Sequence, residues 1–154
     1  MTITSRIPAV LVLAAAAWMG CGGAGDDGPP DLSGGDLRCS ACGMAVADPR
    51  YAAAIRTPEG GIAAYDAIEC AVRDLRTRTG ARAPAEIWLS DMPTAALRPA
   101  SGMTVVLADF PSPMGGGYAA FADPSVAAAE TERRAGVAGS LEQFVAGALR
   151  RPGN

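Results

Sequence analysis

Cys39, Cys42 and Met44 fall in the run Cys39-Ser40-Ala41-Cys42-Gly43-Met44, which brings two thiols and a thioether close together. The chain has no histidine, so its soft donors are cysteine and methionine alone. That set suits a thiophilic ion and favours Cu(I) over hard cations. A second methionine, Met114, lies in Pro111-Ser112-Pro113-Met114-Gly115-Gly116-Gly117. No regular element tolerates that composition, so an apolar side chain there has no evident core to fill. Glycines permit motion and close approach, and a thioether is a weak neutral ligand suited to a transferable Cu(I) ion. Met92 and Met103, by contrast, read as core filler.

Cys70 completes the candidate set. Helical periodicity puts it opposite Ile68, Val72 and Leu75, in the first turn of a predicted helix, so it is expected to be partly exposed rather than packed. The positive end of the helix dipole there favours the thiolate. Whether Cys70 belongs to the same site as Cys39 and Cys42, to a second site or to none is open in the sequence.

Other chemistries fit the CxxC pair less well. A thioredoxin-like thiol-disulfide oxidoreductase places its first cysteine at a helix N-terminus, whereas residues 43–49 read as strand and turn. A zinc ribbon needs a second CxxC or a histidine pair, and neither is present. Disulfides are the default for the four cysteines of an exported chain. If Cys21 is acylated, however, an odd number remains, and bridging so close a pair as Cys39 and Cys42 adds little loop-closure stability. A metal-free interaction module is the remaining alternative.

The elements that must position these residues can be read in order. An apolar run over 7–18 after Arg6 is too short to span a bilayer and reads as an export signal over 1–20. Cys21 follows Gly20 in the manner of a lipoprotein signal and would carry lipid; an ordinary secretory signal or an uncleaved anchor are the alternatives. Residues 21–38, rich in Gly, Asp, Pro and Ser, read as a flexible tether.

Residues 51–56 and 62–65 then form a predicted hairpin around Thr57-Pro58-Glu59-Gly60-Gly61. Asp66 and Glu69 read as the capping box of a helix that Gly80 ends, and 86–91 reads as a returning strand. The second half repeats the order. Strands are predicted at 104–108 and 118–121, a helix from Asp123-Pro124 through Ala129, and a last helix from Ser140 with Gln143 in a capping box. The expectation is an α+β fold of two related β-β-α-β units, 39–92 and 93–154, from a weak internal duplication.

Composition excludes little else. At 154 residues with 49% hydrophobic content the chain can build a core. Its 16 acidic residues exceed 13 basic ones, all arginine, so it lacks the basic stripe that nucleic-acid binding needs.

Three blocks together resemble the NosL family, copper-binding lipoproteins that accompany nitrous oxide reductase. They are Cys39-Ser40-Ala41-Cys42-Gly43-Met44, Tyr65-Asp66-Ala67-Ile68-Glu69-Cys70 and Ser112-Pro113-Met114-Gly115-Gly116-Gly117-Tyr118-Ala119-Ala120-Phe121. The resemblance covers roughly residues 39–130, and three motifs in order are more specific than one CxxC. It implies two β-β-α-β units, no enzymatic activity, and a lipid-anchored protein on the periplasmic side of a bacterial membrane. It also implies Cu(I) delivery to a client copper enzyme such as nitrous oxide reductase in denitrification. Carried over by position, Cys39, Cys42, Met44 and Met114 are the implied copper ligands, with Cys70 a looser match. The segment 93–102 departs from the family pattern.

Overall fold

The structure, a computed structural model, describes residues 28–34, 36–78, 80 and 83–151. The expected export signal, Cys21 and the tether up to residue 27 lie outside the described residues.

Two antiparallel sheets share one chain order. Strand β1 (Ala53–Arg56) pairs with β2 (Ile62–Tyr65) in the register Ala53↔Tyr65 and, on its other side, with β3 (Glu86–Ser90) in the register Ala53↔Leu89. Helix α1 (Ile68–Leu75) connects β2 to β3, and a short β4 (Leu97–Pro99) adds to β3, giving the order β2-β1-β3-β4. In the second half, β5 (Thr104–Leu107) lies between β6 (Tyr118–Phe121) and β7 (Val137–Gly139), with helix α2 (Pro124–Arg133) between β6 and β7. Each half is thus β-β-α-β with its first strand central. A final short helix, α3 (Leu141–Val145), follows.

The hairpin forms for the expected reason: Gly60 takes φ +86°, and Thr57 N donates to Gly61 O at 2.8 Å. In β1, Ala53, Ala54 and Ile55 are all buried, as a central strand between two others requires. Helix α2 has the expected cap, with Ser125 N donating to Asp123 Oδ1 at 2.8 Å and Pro124 in the first turn. It runs past Ala129 to Arg133, because Glu130 pairs with Arg133 and Arg134 along its polar side. Helix α3 carries the predicted Ser140–Gln143 capping box. It reaches across to α1, where the Arg76 guanidinium donates to the Phe144 and Val145 carbonyls. Ile68, Leu89, Val105, Leu107, Leu141 and Phe144, drawn from both halves, share one core.

The start of α1 departs from expectation. Its N-cap is Ala67, with no side-chain cap bond. Two residues separate strand from helix in both halves, but the second half reads Ala122-Asp123 where the first reads Asp66-Ala67. Asp66 is therefore one position too early to cap, and the Asp66–Glu69 capping box does not form. The helix also ends at Leu75 rather than at Gly80, tightening into turns in which Thr77 N bonds Asp74 O and Arg78 N bonds Leu75 O. Strands β4 and β7, three residues each, carry too few residues to show a period.

Candidate metal centre

The cysteine run folds as a tight hairpin. Arg38 and Ala45 form an antiparallel bridge, Cys39 N donates to Met44 O at 2.7 Å, and Gly43 N donates to Cys39 O at 2.8 Å. Gly43, at φ +76°, makes that turn possible. Ser40 N donates to Ala64 O at 2.8 Å, which pins the hairpin to the end of β2. The CxxC pair thus sits in a turn and not at a helix N-terminus.

Pinned there, the hairpin covers the first turn of α1. The Sγ atoms of Cys39, Cys42 and Cys70 and a carboxylate oxygen of Asp66 all lie within 4.8 Å of one another. All three thiols are free. Cys39 and Cys70 are 3% and 1% exposed, Asp66 is wholly buried, and Cys42 is half-buried. Cys42 Sγ donates to Asp66 Oδ1 at 3.5 Å, while Asp66 Oδ2 is buried with no hydrogen-bond partner among the described residues. The Arg73 guanidinium reaches Cys70 Sγ at 3.8 Å.

The expectation that Cys70 is partly exposed is overturned. Periodicity sets Cys70 opposite Ile68, Val72 and Leu75 on the helix, yet it is buried in the same core cluster as they are, beside Cys39 of the cysteine hairpin rather than in water. The dipole argument yields with it. Burial, then the neighbouring Cys39 and Asp66, push the Cys70 thiol up, and burial followed by the bond with Asp66 does the same to Cys39. Cys39 and Cys70 are thus held in the protonated form, and an ion entering the cluster would have to displace those protons.

The methionines are placed differently. Met44 is 48% exposed and contributes its backbone carbonyl to the hairpin, and Met114 is 39% exposed at the tip of its loop. That loop is fastened to Glu69, the residue before Cys70: Gly116 N donates to Glu69 Oε1 at 2.9 Å, and Ser112 Oγ donates to the same oxygen. Met103 is buried in the main core and Met92 packs against the smaller one, as filler residues should.

Sequence reasoning missed Asp66 as a member of this cluster. Its spacing to Cys70, one helical turn, was the available signal, but the same residue also fitted a helix cap. The third and fourth candidate donors come from Cys70 and Asp66, which no local spacing rule pairs with a CxxC. Four donors, three of them thiols, can hold a thiophilic metal ion.

No family model matches the chain, and no curated protein matches it. Among solved structures, the fold is similar to the crystal structure of the copper chaperone NosL from Shewanella denitrificans. The TM-score is 0.68 at 15% identity, over 75% of this chain and 94% of that one. The likeness is one of fold, a mixed α+β arrangement with two antiparallel sheets and few helices.

Proposed function

We propose that the chain is a membrane-tethered periplasmic metallochaperone that binds Cu(I) and delivers it to a maturing copper enzyme, nitrous oxide reductase or a relative. The observation that carries this reading is the convergence of Cys39, Cys42 and Cys70 within 4.8 Å in a protein whose fold is that of a copper chaperone. The three sequence blocks that resemble the NosL family support it independently, since two of them supply these cysteines and the third supplies Met114.

Copper is here the cargo. Cys39, Cys42 and Cys70 bind it as thiolates, each thiol releasing its proton to water, and the Met114 thioether is a further, weaker donor. Soft, low-coordinate ligation leaves room for a client ligand to add before a protein ligand leaves, so exchange needs no free copper and no change of oxidation state. Lipid on Cys21 would keep the carrier at the membrane surface. Oxidation of the cysteines would abolish the site, so they must be kept reduced or loaded.

The test is an anaerobic Cu(I) titration against a chromophoric chelator, comparing the intact protein with Cys39→Ser, Cys42→Ser and Cys70→Ser. Each substitution is expected to weaken binding by about tenfold or more, since each removes a thiolate. Equal affinity in all four proteins rejects the site.

One observation favours a second reading. Asp66 Oδ2 is buried with no hydrogen-bond partner among the described residues, and a Cys₃Asp set is a four-donor site of the kind that holds Zn(II). Zinc binding stronger than copper binding in competition would favour it.

A further inference from the structure

Glu69 lies in the first turn of α1, one residue before Cys70, and does not cap its helix. Its Oε1 accepts two hydrogen bonds from the methionine loop, from Ser112 Oγ and from Gly116 N at 2.9 Å. Ser112 Oγ in turn accepts from Gly117 N at 2.9 Å, and Ser112 O accepts from Gly115 N at 2.9 Å. These bonds close around Met114, which sits two residues from each anchor point. Gly116 is part of the same device: a Cβ there would lie 2.9 Å from Glu69 Cδ and Cγ, so the carboxylate packs directly on bare backbone. The loop also borders an open cleft of about 690 Å³, lined by Arg76, Gly115, Gly116, Tyr118 and Arg151.

We infer that Glu69 is a positioning residue that holds the Met114 loop against the end of α1 bearing Cys70, so that the thioether is presented to an ion in the cysteine cluster. The inference rests on the reading of Met114 as a copper ligand. Two otherwise unexplained features follow from it. The acid that sequence assigns to a capping box bonds a loop 43 to 47 residues away instead of its own helix. The glycine run after Met114 contains a residue whose lack of a side chain serves this contact.

Two measurements test it, each on intact protein, with Glu69→Ala, Glu69→Gln and the milder Ser112→Ala. Amide hydrogen exchange in the metal-free protein reads the latch alone. Glu69→Ala is expected to speed exchange at Gly116 by about fivefold or more, the loss of a typical hydrogen bond, while Glu69→Gln, whose amide oxygen still accepts, stays near the parent. Unchanged exchange in Glu69→Ala, or equal loss in Glu69→Gln, overturns the latch.

Cu(I) affinity then reads the coupling. Glu69→Ala and Ser112→Ala are expected to weaken binding no more than Met114→Ala does, and adding Glu69→Ala to Met114→Ala is expected to cost nothing further. Additive losses would overturn the coupling by showing that Glu69 acts on the site without Met114. A Met114→Ala protein that binds copper as well as the parent overturns the ligand reading itself, and the exchange data still decide the latch.

Discussion

Cys42 donates its thiol to Asp66 across 24 residues of sequence, at 3.5 Å, and the other oxygen of that carboxylate has no hydrogen-bond partner among the described residues. A buried carboxylate with one bonded and one orphaned oxygen is an unfavourable arrangement unless something else completes it. A cation in the cluster would do so, and the chemistry of the donors differs: the sulfurs are soft and the oxygen hard.

That difference predicts metal selectivity. Asp66→Asn keeps the shape of the side chain but removes its charge, so Zn(II) or Co(II) binding should weaken by about tenfold while Cu(I) binding changes little. Cobalt absorption bands and chelator competition measure the two. Equal losses for both metals would mean that Asp66 contributes charge rather than a ligand.

The thiols give a pH dependence with opposite signs for folding and for binding. Cys39 and Cys70 have pKa values raised in the folded protein, so the fold holds their protons more tightly than the unfolded chain does. Their contribution to stability is complete below the unfolded thiol value of about 8.5 and is lost as pH rises through the folded values. The metal-free protein should therefore melt at lower temperature at high pH. Copper must displace those protons, so its apparent affinity should rise with pH by about tenfold per unit for each proton released. An affinity flat across neutral pH would contradict protonated thiols as the resting state.

Much of the fold was legible in the sequence, because its signals are local. Gly60 and the Ser140–Gln143 pair do what their residue types dictate, and the strand-strand-helix order of each half was read from local signals, though the three-residue β7 was not. The cysteine and methionine residues were also visible as candidates by type and spacing. What the sequence hid is tertiary. Periodicity tells which way Cys70 points but not that a hairpin covers it, and a cap signature cannot reveal that Asp66 falls one residue short of the cap. Both carboxylates of the apparent capping box turn instead to distant partners, Cys42 and the Met114 loop.

The glycines of that loop are not equivalent. Gly117 takes φ +74°, and a Cβ on it would lie 1.9 Å from Ala108 O, beside the bond from Ala108 N to Gly117 O that closes the β5–β6 ladder. Gly117→Ala should destabilise the protein by more than about 2 kcal/mol. Gly115, at φ +69°, has open space around it, and Gly115→Ala should cost only about 1 kcal/mol. Chemical denaturation of the two variants measures this, and equal losses would contradict it.

Membrane attachment is tested separately through Cys21. Expressed with its N-terminus intact, the protein should label with palmitate and sediment with membranes, and Cys21→Ser should lose both properties. Labelling that survives Cys21→Ser would remove the lipid anchor from the proposed function.

X-ray absorption at the copper edge of the anaerobically loaded protein tests the central claim most directly, because it reads the atoms around the ion. Sulfur scatterers in the first shell, fewer after Cys70→Ser, are predicted. A shell of nitrogen and oxygen alone, or a sulfur shell unchanged when Cys39, Cys42 or Cys70 is replaced, would contradict it.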